Sequence, residues 1–194
     1  MSDATESMSK DGLKAVREWV TVVGVALLIA FLVRGFVLQQ FYISGPSMES
    51  TMYQDNRVLV NKLSYRLHDI HRGDVVVFDR VTTDGVAVQH DDLIKRVIGL
   101  AGDTISISKC VVSVNGKTID EPYLNDYDLA QSNLDDRCRI PDMSATKVAE
   151  GQLFVMGDNR PQSFDSRMFG TIDKSLVIGR AFVIIWPLGS FHWL

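Results

Sequence analysis

Among its 194 residues the chain has only two cysteines, Cys110 and Cys138, and no Cys-x-x-Cys pair. Its four histidines, at 68, 71, 90 and 192, make no His-Glu-x-x-His pattern. No carboxylate cluster follows His68 and His71 at a ligand spacing, so no metal site is expected. No block of basic residues is present: 20 Lys and Arg are scattered among 24 Asp and Glu, for a formal net charge of -4. That balance gives no support for a nucleic-acid partner. Two cysteines fit either one disulfide in an oxidising compartment or two buried thiols, and the sequence leaves both open.

What is present is a globular composition with an apolar bias, 46% hydrophobic and 23% charged. Residues 1–18 are polar. They precede the uncharged run "WVTVVGVALLIAFLV" at 19–33, after which Arg34 intervenes and apolar residues resume to Ile43. The run is apolar all round, unlike an amphipathic core helix. No small-x-small site follows it, as a cleavable signal peptide requires. The reading is a retained transmembrane anchor over 19–40, with Trp19 at one interface and Arg34 snorkelling at the other. Lys10, Lys14 and Arg17 precede the span and Arg34 alone follows it closely. The charge bias predicts a cytoplasmic N-terminus and an extracytoplasmic domain over 41–194. Those remaining residues, about 150 of them, suit one compact domain.

That domain reads as mainly β. Short β-rich runs occur at 57–65, 73–81, 93–100, 103–119, 151–159 and 179–188, separated by Gly and Asp turns. Asn115-Gly116 is a hairpin signal. No long helical period follows the anchor, which predicts a barrel-like antiparallel β assembly. Residues 122–149 are polar with little periodicity and read as a surface insertion. The C-terminal "IIWPLGSFHWL" is either a core strand with a tail or a membrane-touching edge, and its aromatics favour the edge.

Three stretches carry chemistry. In "ISGPSMESTM", Gly45-Pro46 fixes the backbone so that Ser47 is held in one orientation. A serine nucleophile needs a base. His90, followed by Asp91 and Asp92, is the one histidine in a tempting setting. In "DLIKRVIGLAGD", Lys95 lies within an apolar strand, sharing a face with Leu93 and Val97 while Arg96 points the other way. Burial there would lower its pKa; an unperturbed lysine is only about one part in a thousand neutral near pH 7.4. The third stretch, "MGDNRPQSFDSRMFG" at 156–170, is dense in side-chain donors and acceptors, as a self-bonded loop would be.

Together "SGPSM", "GDVVVF", "KRVIGLAGD" and "GDNRPQSFDSRMFG", in this order after an anchor, resemble the motifs of bacterial type I signal peptidases, the membrane-anchored Ser-Lys proteases. The resemblance spans about residues 19–188, with 122–149 poorly matched. It implies Ser47 as nucleophile and Lys95 as general base, with Ser163 hydrogen-bonded to the lysine amine. Asp158, Asp165 and Arg167 would brace the loop, and the Ser47 N–H would serve the oxyanion hole. No cofactor is implied, since lysine takes the proton. Some members carry a serine two positions before the nucleophile, where this chain has Gly45. Two prolines common in the family are replaced by Ser50 and Ala101.

The partners implied are the lipid bilayer and preproteins bearing signal peptides, cut after small-x-small motifs. An extended substrate would pair along "QQFYISG" and "HDDLIK". Phe41 and Ile43, with Gly45, are the expected substrate-binding residues, because alternate strand positions share a face. Two other readings stand beside this one. A soluble, self-cleaving repressor-type Ser-Lys protease conflicts with the anchor and the acidic balance. A catalytically inactive, membrane-tethered binding module of the same fold has no need of Ser47, Lys95 and Ser163.

Overall fold

The computed structural model describes residues 3–83, 87–124 and 133–194. It divides into two units, Met1–Leu38 and Gln39–Leu194. The first is one helix, α1 (Asp3–Leu32), continued by a π-helical turn, Val33–Val37. Its apolar stretch Lys14–Gly35 has 22 residues and a mean hydropathy of 2.1, and none of it is buried against protein. At 1.5 Å per residue it reaches about 33 Å, enough for a hydrocarbon core of roughly 30 Å. The helix begins well upstream of the apolar run, in polar sequence that readily forms helix. It gives way at Leu38, where the anchor was expected to continue to residue 40. The Leu38–Tyr42 stretch alternates between side chains partly buried and exposed and forms strand β1.

The second unit is mainly antiparallel β. Its other strands are β2 (Arg57–Asn61), β3 (Val75–Thr83), β4 (Val88–Gly99), β5 (Thr104–Ser108) and β6 (Val111–Val114). They are followed by β7 (Lys117–Thr118), β8 (Met143–Lys147), β9 (Gln152–Met156), β10 (Ile172–Asp173), β11 (Val177–Trp186) and β12 (His192–Trp193). An eight-stranded sheet runs in the order β1-β2-β11-β3-β4-β9-β10, with β12 beside the end of β11. A four-stranded sheet runs β7-β6-β5-β8. Among the described residues no ladder joins β10 back to β1, so the barrel-like expectation resolves into two open sheets. Among the described residues the α-helices of this unit are single turns: α2 (Ser64–Leu67), α3 (Leu134–Arg137) and α4 (Ser166–Phe169).

The apolar runs explain the centre of the large sheet. Val75 to Phe78 are buried consecutively, so β3 has core on both faces. Val75 and Val77 join one cluster with Ile43, Met48, Met52 and Val58; Val76 and Phe78 join another with Val97, Leu153 and Val155. A third cluster, around Ile98, Ile105, Phe154 and Met156, holds the small sheet against β4 and β9.

Asn115-Gly116 forms the expected tight turn, with both residues at positive φ and β6 pairing β7. A second tight turn was not anticipated. Lys109 and Cys110 also have positive φ and join β5 to β6 without a glycine. The Lys109 N–H donates to Asp142 Oδ1 and the Cys110 N–H to the Pro141 carbonyl, and Cys110 is joined to Cys138 in a disulfide. The segment 122–149 is not a simple excursion. Residues 125–132 of it lie outside the described residues, but β8 pairs β5 as an edge strand of the small sheet. Four of its five side chains are exposed, which is why no alternation marked it.

Candidate active site

Ser47 sits in a one-turn 3-10 helix, Pro46–Met48, that interrupts the path from β1 to β2. Gly45 enters it extended, at φ -146° and ψ 162°, and Pro46 fills its first position, where a proline needs no amide partner. The turn is anchored from both sides. Met48 and Met52 are fully buried, and the Met52 N–H donates to the Met48 carbonyl at 2.8 Å. From across the site, the Asn159 N–H donates to the Ser47 carbonyl at 3.1 Å. Gly157 makes this approach possible: a Cβ there would lie 2.3 Å from both the Ser47 carbonyl oxygen and Ser163 Oγ.

Lys95 is 2% exposed. It lies opposite Val76 on β3 and on the same face as Leu93 and Val97. Its Nζ is 2.7 Å from Ser47 Oγ and 2.9 Å from the Ile94 carbonyl, and among the described residues it makes no direct contact with a carboxylate. Burial pushes the amine down to about 8, against the charges of Asp165 and Asp158, which favour the ammonium; Arg167 adds to the lowering. About a fifth of such amines are neutral near pH 7.4. A hydroxyl at hydrogen-bonding distance from a partly neutral amine can transfer its proton to it.

Around this pair the charges are matched. Asp158 accepts from Arg96 Nε at 2.9 Å and Nη2 at 2.7 Å, and from Thr51 Oγ1 at 2.6 Å. Asp165 accepts from Arg167 Nε at 2.8 Å and Nη2 at 2.7 Å, and from the Gly157 N–H at 3.0 Å. Burial alone would raise the Asp165 carboxyl, but the Arg167 bonds and charge and the Gly157 N–H outweigh it and hold it below the ordinary range. Asp165 also caps α4, accepting from the Arg167 N–H. Arg160 and Glu121 form a further buried pair at 2.5 Å. The Arg160 carbonyl in turn accepts from Arg167 Nη2.

Ser47, Lys95, Asp158, Ser163, Asp165 and Arg167 are therefore brought together. The expected hydrogen bond from Ser163 to Lys95 is not formed. Ser163 is 1% exposed, and its hydroxyl helps favour the Asp165 charge but meets no partner at hydrogen-bonding geometry. Ile43 is buried in the core, while Phe41 is only partly buried against the same cluster. Gly45 has open space on its Cβ side. His90 pairs with Asp79 at 2.6 Å on an exposed surface, five residues along β4 from Lys95. Sequence reasoning missed Thr51, Glu121, Tyr123, Arg96 and Arg160 as parts of this network. For Arg96 a signal existed: a second cation in an apolar strand needs a partner on the opposite face.

A family model described as signal peptidase, peptidase S26, matches residues 16–186. The chain belongs to this family. It is thus a serine peptidase, and the family acts on preproteins that carry signal peptides. Signal peptidase IB of Staphylococcus aureus (strain MRSA252) is 35% identical over 188 residues, covering 93% of this chain and 94% of that protein. A probable signal peptidase I-2 of Synechocystis sp. is 38% identical over 165 residues, covering 84% of this chain and 70% of that one. The crystal structure of a signal peptidase I from Enterococcus faecalis V583 is 30% identical with a TM-score of 0.47, covering 58% of this chain and 97% of that one. The single N-terminal apolar helix fits the membrane anchoring of such enzymes.

Proposed function

We propose that this peptidase removes N-terminal signal peptides from exported preproteins with a Ser47-Lys95 dyad. The observation that carries the reading is the 2.7 Å approach of a buried, carboxylate-free Lys95 amine to the Ser47 hydroxyl. Neutral Lys95 takes the hydroxyl proton as Ser47 Oγ attacks the scissile carbonyl. The Ser47 N–H stabilises the oxyanion. As the C–N bond breaks, the ammonium returns its proton to the departing amine. Lys95 then takes a proton from water as that water attacks the acyl ester, and returns it to Ser47 Oγ as the ester bond breaks, restoring the serine hydroxyl and the neutral amine.

The substrate's place is supported by unpaired strand edges. The β4 ladder with β9 begins at Arg96, so Val88–Lys95 lacks a partner on that side among the described residues. β1 is the terminal strand of the same sheet. An extended segment adding between these edges would present alternate side chains to Phe41 and Ile94, whose shallow wall suits small residues. Asp158, Asp165 and Arg167 act by positioning the loop that carries Gly157 and Asn159. Ser163 would reach the Lys95 amine by a rotation of its hydroxyl-bearing side chain.

The helix is the anchor, with the N-terminus cytoplasmic and the catalytic unit outside, a reading supported by the Lys10, Lys14 and Arg17 bias. An exposed aromatic rim supports a second contact with lipid. Trp186, Leu188, Phe191 and Trp193 are each 47% to 75% exposed, and Arg57 lies over the rings of both Tyr42 and Trp186.

The test is cleavage of a purified secretory preprotein in detergent or lipid, comparing the intact chain with Ser47→Ala and Lys95→Ala from about pH 6 to about pH 10. Cleavage after a small-x-small sequence by the intact chain alone is expected, with an acidic limb near the Lys95 value of about 8. Cleavage by Ser47→Ala would reject the dyad, and a folded intact chain that cuts nothing would be a tethered binding module.

A further inference from the structure

Arg160 is where other segments reach the loop that faces Ser47. Its guanidinium pairs with Glu121, and its Nε donates to the Gly157 carbonyl at 3.0 Å. Its own carbonyl accepts from Arg167 Nη2 at 2.9 Å and from the Arg139 N–H at 3.2 Å. Glu121 and Arg167 are buried side chains with charged partners. Arg139 comes from a segment with far less to fix it.

Of residues 138–142 only Cys138 is buried, and Arg139 and Asp142 are exposed. A stretch with so little apolar burial opens readily by itself. Here it is tied covalently, because Cys138 is bonded to Cys110 in the β5–β6 turn, 28 positions away. That turn is itself well founded. Ile107 and Val112 on either side of it are buried in one cluster with Phe154 and Met156 of β9. β9 leads directly into Gly157. The disulfide therefore closes a ring that runs from the small sheet through Cys138 and Arg139 to Arg160, and back through Gly157 and β9 to the same core. Asn159, beside Arg160 in that ring, is the residue whose N–H holds the Ser47 carbonyl.

We propose that the Cys110–Cys138 disulfide is a positioning element for the nucleophile, acting through Arg139 and Arg160 on the loop that holds Ser47, so that the oxidised protein cleaves faster than the reduced one. The inference rests on the dyad reading. Reduction by a dithiol breaks the S–S bond, oxidises the dithiol to its own disulfide and leaves two thiols on this chain. Cys138 is then free to move and to carry Arg139 away from the Arg160 carbonyl, and Asn159 is held less closely against Ser47. The peptidase reaches its full rate only where thiols are oxidised, as they are outside the cytoplasm, where the catalytic unit is proposed to lie.

The experiment uses the full-length protein in detergent micelles, oxidised, reduced with dithiothreitol, and reoxidised, with thiol titration at each stage. On reduction, kcat for a secretory preprotein should fall by about ten- to a hundredfold, as for a misplaced reacting group, with KM nearly unchanged and full recovery on reoxidation. The acidic limb should move to higher pH. A looser loop lets water reach Lys95, whose proton affinity is lowered first by burial, against Asp165 and Asp158 and with Arg167. Cys110→Ser with Cys138→Ser should behave as the reduced protein and ignore the dithiol, since the chain has no other cysteine. Arg139→Pro keeps the disulfide, removes the donor and should give part of the same loss and shift. Independently of turnover, amide exchange at Gly157 and Asn159 should quicken by about tenfold on reduction while Val76 and Val77 of β3 stay as they were.

Unchanged kcat and exchange in the reduced protein would overturn the proposal. So would a fall in rate with the limb fixed and exchange quickened throughout β3, which would mean that the disulfide only keeps the chain folded. An Arg139→Pro protein as fast as the intact one would overturn the route through Arg160. Exchange quickening at Gly157 and Asn159 alone, in a protein that cuts nothing even when oxidised, would support the positioning and overturn the dyad reading.

Discussion

Lys95 and Arg96 are adjacent on β4, both buried, and point to opposite faces of one strand. Arg96 meets Asp158 through two hydrogen bonds and has Tyr123 against its guanidinium, 4.0 Å from centroid to carbon. Lys95 meets a hydroxyl and a backbone carbonyl and no carboxylate. Burial is common to both, so burial alone does not decide what a cation does. The partner differs: Arg96 is paired with a carboxylate, while burial without such a contact lowers the proton affinity of Lys95, as the base of the proposed dyad requires.

The largest way to break this contrast is to make the two cations alike. Lys95→Arg keeps the charge and the length but installs a group that stays protonated at any working pH. Preprotein cleavage should fall by about a thousandfold or more, as for loss of a positioned base. Activity within tenfold of the intact protein would remove Lys95 from the mechanism.

The contrast can also be broken from the Arg96 side. Asp158→Asn leaves Arg96 charged and buried, with Thr51 losing its acceptor as well. Urea unfolding should show a loss of about 3 to 5 kcal/mol. The same change removes a negative charge that favours the Lys95 ammonium, so the acidic limb of whatever activity remains should move to lower pH. A limb moving upward would mean that Asp158 does not act on Lys95 through its charge.

How much of this was legible beforehand depends on whether a pattern repeats every two residues. β3 and β4 were legible because their runs are buried or alternate, and β6–β7 because Asn115-Gly116 fits its turn. β8 was not, since an edge strand with exposed side chains carries no period. Nor was the Lys109-Cys110 turn, whose strain is met by a disulfide rather than by glycine. Within the site, the opposition of Lys95 and Arg96 followed from strand alternation. The meeting of Ser47 with Lys95, 48 positions apart, has no local signal and came only through resemblance. Glu121 was overlooked because its partner, Arg160, lies 39 positions away.

A gentler test concerns stability. An amine at 10.5 unfolded and about 8 folded opposes folding by roughly 3 kcal/mol wherever both states would hold the proton, that is below about pH 8. The unfolded chain binds more protons between those values, so this cost fades as pH rises toward 10.5. Lys95→Met, similar in volume and uncharged, should therefore be more stable than the intact protein at neutral pH, and the gap should close in alkali. A gap independent of pH would assign the gain to packing and not to the buried charge.

The smallest expected effect comes from Gly45→Ser. The backbone there is extended, and no heavy atom lies within 4 Å of the added Cβ, so the substitution fits without strain. Its hydroxyl would stand near the oxyanion, where one well-held donor is worth about a hundredfold or more. Here nothing would hold it, since the space is open. Arg96 and Lys95 show that a group's contribution in this site follows from what fixes it, and an unfixed hydroxyl should raise kcat no more than about threefold, with KM unchanged. A rise beyond tenfold would mean that the open side of Gly45 already has the shape of a donor site, and that the site tolerates the glycine at a real loss of rate.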